Sequence, residues 1–170
     1  MMRNPLAYPI NWRSEPRWDY THGLVLLSFA TASTRATLLA YSGGIVDSSD
    51  NDSKRINVQA PINIDGLSDF TSPSKWLGDR NKNILQRWRD ASPIFYIDNN
   101  APVRLFINSS VPRFRAGRDS AIQKLQQLHI PSEVYQFDDA PHSFWLFQPW
   151  LTPTTSVIDD FLTAQFAKTR

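Results

Sequence analysis

Apolar runs of strand length alternate with segments of helical spacing along most of this chain. Leu24 to Leu27 is a short continuous apolar run, and "TRATLLAY" behind it has helix-like apolar spacing that Gly43 and Gly44 bring to a stop. A polar loop, "SSDNDSKR", leads into "VQAPINID", a second strand closing on Asp65-Gly66. Between Trp76 and Asp90, "NILQRWRD" sets Ile84, Leu85 and Trp88 on one helical face. "PVRLFINSS" is the third strand and the clearest. After the loop "VPRFRAG", Ala121, Ile122, Leu125 and Leu128 recur at three and four, which predicts a core-facing helix from Asp119 to Leu128, ended by Ile130-Pro131. "EVYQF" is a fourth strand. Val157, Ile158, Phe161, Leu162 and Phe166 then line a last helix, with Thr152 before Pro153 as its N-cap and first-turn proline. Strands spaced by helices predict an α/β fold: four strands near residues 24–28, 59–65, 103–108 and 133–137 in a mainly parallel sheet, flanked by helices on both faces.

With 170 residues, 41% of them hydrophobic, the chain can bury one core of ordinary size, which favours a single domain. Lys and Arg outnumber Asp and Glu by 18 to 16 and are scattered apart from "RFRAGR", so the charge argues against a nucleic-acid partner. No cysteine is present, which excludes disulfides and thiolate metal sites, and three well-separated histidines argue against zinc. No cofactor is expected. "GLVLLSFATAS" ends in the small-x-small form of a cleavage site, yet it is too short to span a bilayer, and the 22 residues before it include Glu15 and Asp19. Neither a membrane partner nor a compartment is read from it.

In parallel sheets covered by helices, chemistry collects at the carboxyl ends of the strands. His142, in "DDAPHSFWLFQPW", follows the fourth strand by five residues. One reading makes it a loop histidine that bonds a backbone carbonyl and packs on Trp145. The other makes it a general base, because imidazole titrates near neutrality and a fixed loop can hold it over a nucleophile. His22 and His129 read as surface or strand-flanking residues.

Taken in order, "INIDGLSDF", "WLGD", "WRDASPI", "PVRLFINSSVPRFRAGRD" and "DAPHSFWLFQPW" resemble the C-terminal half of alpha/beta-hydrolase esterases, in particular bacterial acetyl esterases acting on plant polysaccharides. The resemblance runs over roughly residues 24 to 167, and places a partial alpha/beta-hydrolase domain at 24–170 behind an unplaced segment, 1–23. It implies that His142 is the histidine of a catalytic triad, with Phe144, Trp145 and Trp150 packing the loop that aims it. It implies a small ester or an acetylated carbohydrate as substrate.

The departures from that family bear on activity. Its nucleophile stands in a G-x-S-x-G turn between strand and helix. Here that alignment falls on "SFATA", Ser28 to Ala32, and puts Ala30 at the nucleophile position, with both flanking glycines replaced. Ser28 and Ser33 are neighbouring hydroxyls. Many relatives carry the acid a few residues past the strand that is here "PVRLFINSS", but Pro112 aligns there; Asp119 is the nearest carboxylate, and Asp65 and Asp69 are the other candidates. Asp119 also suits the first turn of a helix, and Asp65 and Asp69 suit a turn beside Gly66. Fewer than thirty residues precede the elbow and no H-G-G-G oxyanion motif occurs among them. The chain therefore reads as a truncated or decayed esterase, weakly active or inactive, so that its being an enzyme is uncertain. The alternative is a non-catalytic half-domain that binds a partner chain, with self-association through an exposed sheet edge.

Overall fold

The computed structural model describes residues 24–42, 58–70 and 82–167. For residues 24–33, 35 and 82–85 the backbone alone is described. Four parallel strands, β1 (Leu24–Phe29), β2 (Val58–Ile64), β3 (Arg104–Asn108) and β4 (Ser132–Gln136), lie side by side in sequence order. The helices are α1 (Ala30–Ser42), α2 (Lys82–Ala91), α3 (Arg118–Gln127) and α4 (Leu151–Ala167).

The period-two alternation of the strands sorts the core into two layers. Ala60, Ile62, Ile64, Leu105 and Ile107 point to one side, where Phe161, Val157, Ile158 and Leu162 of α4 meet them. Phe106 points to the other and packs with Tyr41 of α1, Ile97, and Ala121 and Leu125 of α3. Helices thus cover both faces of the sheet, which is why β2 and β3 are buried almost throughout. β4 differs: it stands at one end of the strand order, and Val134 and Tyr135 remain exposed.

Two local expectations shift. The last helix begins at Leu151, so Thr152 lies inside it, and its hydroxyl accepts from the Gln148 amide at 2.9 Å instead of capping a backbone N–H. α1 begins at Ala30, directly after β1, four residues ahead of "TRATLLAY". Trp88 is buried, whereas the side chains of Ile84 and Leu85 are outside those described. Residues 1–23, His22 among them, also lie outside the described residues.

Candidate active site

The carboxyl ends of β2 and β3 and the loop after β4 converge on one polar cluster. Asp65 immediately follows β2 and takes a left-handed backbone conformation, φ 51°, that non-glycine residues adopt at a cost of about 1 kcal/mol or more. Short polar residues tolerate it best. The conformation is held from several directions. The Asp65 amide donates to the Ile107 carbonyl, and the next amide, Gly66, donates to Asn63 Oδ1 at 2.8 Å. Asn63 is itself buried and donates to Thr37 Oγ1 of α1. The Asp65 side chain, 0% exposed, accepts from the Ser109 amide at 2.8 Å through Oδ1. Its other oxygen, Oδ2, lies 2.9 Å from Nδ1 of His142.

An ionised carboxylate only accepts, so this bond places the imidazole proton on Nδ1 and leaves the Nε2 lone pair of the neutral ring available. Nε2 has no partner among the described residues, and the His142 side chain is 28% exposed. The ring is also fixed sideways. Phe114 stacks on it with centroids 3.6 Å apart and planes 13° from parallel, and Trp145 meets it edge-on at 5.4 Å. Phe144 and Trp145 are buried and anchor the loop in the α4 layer, where Trp150 packs partly buried. Trp150 Nε1 donates to Asp139, and the Ser110 amide and hydroxyl both donate to the Ala140 carbonyl, tying the histidine loop to the end of β3.

Asp119, the carboxylate nearest the aligned acid position, is not brought to His142. It sits in the first turn of α3 with 80% of its side chain exposed and pairs with Arg118 at 2.8 Å, where the helix dipole favours an acid. Asp69 stands by Ser92, its Oδ1 3.5 Å from that hydroxyl. Ala30 is the first residue of α1; Phe29 is in register with Ile64, so Ala30 and Asp65 are the residues that directly follow two adjacent strands. The strand-to-helix junction at Ala30 therefore lies beside Asp65. The side chains of Ser28 and Ser33 are outside those described, and His129 is exposed in the turn after α3. Neither the Phe114 stack nor the Asn63 and Ser109 contacts were anticipated; nothing in "VPRFRAG" distinguishes its phenylalanine from an ordinary loop anchor. Among the described residues no group of three His, Asp or Glu could hold a metal ion, and no helix is long and apolar enough to cross a membrane.

No family model matches the sequence, and no curated protein matches it. Solved structures do. A bifunctional acetyl ester-xyloside hydrolase from Caldicellulosiruptor lactoaceticus is similar with a TM-score of 0.62 at 14% identity, over 81% of this chain and 55% of that one. The butyrate-bound thermophilic esterase Est2 of the planctomycete Thermogutta terrifontis is similar at 0.65 and 15% identity, over 82% and 55%. A truncated carbohydrate esterase from gut microbiota is similar at 0.61 and 14%, over 85% and 60%. At these identities the likeness establishes a shared fold, a partial esterase-like alpha/beta-hydrolase fold, and the chain spans little more than half the length of those structures.

Proposed function

We propose that this chain bears the base and acid of a carboxylic-ester hydrolase site of the acetyl-esterase kind, with small esters or acetylated carbohydrates as its substrate class. The observation that carries this is the Asp65–His142 pair at 2.9 Å, set at the carboxyl end of a parallel sheet beside the strand-to-helix turn at Ala30. In a serine hydrolase the histidine removes the proton of a hydroxyl on that turn, and the acid holds the tautomer that makes removal possible. Here the pair is assembled and the turn carries a methyl group. No covalent acyl-enzyme can form at Ala30, because alanine has no hydroxyl to attack an ester, so hydrolysis through that turn is weak or absent. The substrate class rests on the fold likeness to esterases whose own descriptions name acetyl esters and carbohydrates.

Hydrolysis of an aryl acetate by the chain and by His142→Ala is the direct test, with equal rates expected; a His142-dependent rate would overturn the claim of weak or absent activity. Titration with an acetylated xylo-oligosaccharide, read on the His142 ring resonances, tests the substrate class. Unmoved resonances at saturating ligand would count against it.

A second reading, a half-domain that binds a partner chain, is favoured by one observation: among the described residues β1 is an end strand of the sheet, paired on one side with β2. An unpaired strand edge is a template for pairing with another chain. Light scattering over a concentration series tests for self-association, and a monomer at all concentrations would count against that mode.

A further inference from the structure

Arg118 opens α3 with its side chain only 11% exposed, which is unusual for an arginine beside a loop. Its guanidinium has three directions of donation. Nε and Nη2 meet Asp119 Oδ1, each at 2.8 Å, and Nη1 is shared between Asn108 Oδ1 at 3.1 Å and Gln136 Oε1 at 3.2 Å. Gln136 also accepts from Arg115 at 2.6 Å, so the end of β4 holds the guanidinium from the far side. Asn108, the last residue of β3, is buried, and its Nδ2 faces Asp65 Oδ1 at 3.5 Å.

The amide of asparagine can be turned over without changing its shape, and its orientation is decided by its neighbours. Arginine has five donors and no acceptor, so the oxygen of Asn108 must face Arg118 and the NH2 group must face Asp65. The reverse orientation sets donor against donor on one side and places an amide oxygen against a buried carboxylate on the other. Both contacts are repulsive, and burial removes the water that would soften them.

We infer that Arg118 is a positioning residue for the Asp65–His142 pair, acting through Asn108: it holds the amide so that a donor faces Asp65 Oδ1, which leaves Oδ2 committed to His142. The inference rests on the reading of that pair as the working base and acid, but its geometry is open to test without activity. Arg118 touches neither Asp65 nor His142 directly in any contact described, so the effect passes through one side chain.

The experiment is long-range nitrogen–proton NMR of the histidine rings in the intact chain, with Arg118→Met, Arg118→Lys, Asn108→Ala and the double variant Arg118→Met/Asn108→Ala. The wild type is expected to show His142 with its proton on Nδ1. Arg118→Met should make that proton exchange with water about tenfold faster, as loosening a hydrogen bond to a charged group does, and should raise the share of the Nε2–H tautomer. Arg118→Lys, which still donates, should restore most of the wild-type signal. Asn108→Ala should match Arg118→Met, and the double variant should be no worse than either single, because both remove one link. Unchanged exchange and tautomer in Arg118→Met would overturn the proposal. So would additive effects in the double variant, which would mean that Arg118 acts by another route. Should Arg118→Met fail to fold, Asn108→Ala and Arg118→Lys carry the same decision: the first must loosen the Nδ1 proton and the second must not. Absence of hydrolysis in all variants leaves this test untouched and bears on the esterase reading alone.

Discussion

Phe114 lies face-on against the ring of His142, its centroid 3.6 Å away and its plane tilted by 13°, while Arg113 sits over the Phe114 ring at 4.8 Å. The candidate base is therefore held by the loop after β3 as well as by its own loop. An aromatic pair of this kind is worth about 0.5–1.5 kcal/mol beyond its buried area. A double-mutant cycle with Phe114→Leu and His142→Ala, read by urea unfolding, should give a coupling energy in that range. Additive losses would mean that the stack contributes nothing.

Asp65 and His142 differ in what their loss leaves behind. His142→Ala strands a carboxylate with 0% exposure on the Ser109 amide, and should destabilise by about 2–3 kcal/mol, discounted from a fully buried pair because the imidazole is 28% exposed. Asp65→Asn/His142→Ala removes the stranded charge and should recover part of that loss. Equal midpoints for the single and double variants would show that the charge is not the cause.

Arg104 presents the opposite case. It is fully buried on the α1 and α3 side of the sheet, 4.0 Å over the Tyr41 ring and 5.3 Å over Phe106, and none of its guanidinium nitrogens has a hydrogen-bond partner among the described residues. Aromatic faces offset little of the cost of desolvating a charge, and burial pushes its pKa down. Replacing such a group by an apolar one of similar volume is often stabilising by about 1–4 kcal/mol. Arg104→Met is therefore expected to raise the urea midpoint, and a fall would show that the contacts of the guanidinium with Tyr41 and Phe106 outweigh its desolvation.

The same contact gives a pH dependence. Burial raises the Tyr41 phenol above its ordinary value of 10.0, and the Arg104 cation opposes that shift. Above pH about 10 the unfolded chain releases this proton while the folded chain keeps it, so the unfolded state binds fewer protons and stability falls as pH rises. The contribution is whole below the unfolded pKa and is lost through the folded one. Unfolding curves from pH about 8 to about 11 should show wild type losing more stability than Tyr41→Phe, and parallel curves would refute the assignment.

The strands were legible because their signal is local. "PVRLFINSS" and "VQAPINID" are rich in large apolar residues, as strands covered by helices on two sides tend to be, and they appear as β3 and β2 within a residue or so of the expected ends. The site was legible only in part. His142 stood out by residue type and by its distance past β4, but the carboxylate it meets is set by which strand ends lie adjacent in space, and Asp65 is 77 residues away in sequence. Proximity along the chain favoured Asp119, which the structure pairs with Arg118. Phe114 and Asn108 carry no signal at all until the loops are brought together.

Those loops meet at Gly117, and the last prediction concerns that meeting. Gly117 has φ 77°, and a Cβ there would strike the Cβ of Asp69 and lie 2.6 Å from its amide nitrogen. The approach is this close because the amides of Ser68 and Asp69 both donate to the Ala116 carbonyl, which sews the loop after β2 to the loop after β3. The first of those loops begins with Asp65 and the second carries Phe114, so one seam sets the spacing between Asp65 and the ring stacked on His142. Gly117→Ala must both adopt a left-handed conformation and push the loops apart. It should cost more than about 2 kcal/mol, and it should also disturb the His142 ring resonances in the chain that remains folded. Ala116→Gly, which keeps the carbonyl, should leave those resonances in place. A Gly117→Ala protein with wild-type stability and an unshifted His142 would show that the seam can part without moving the site.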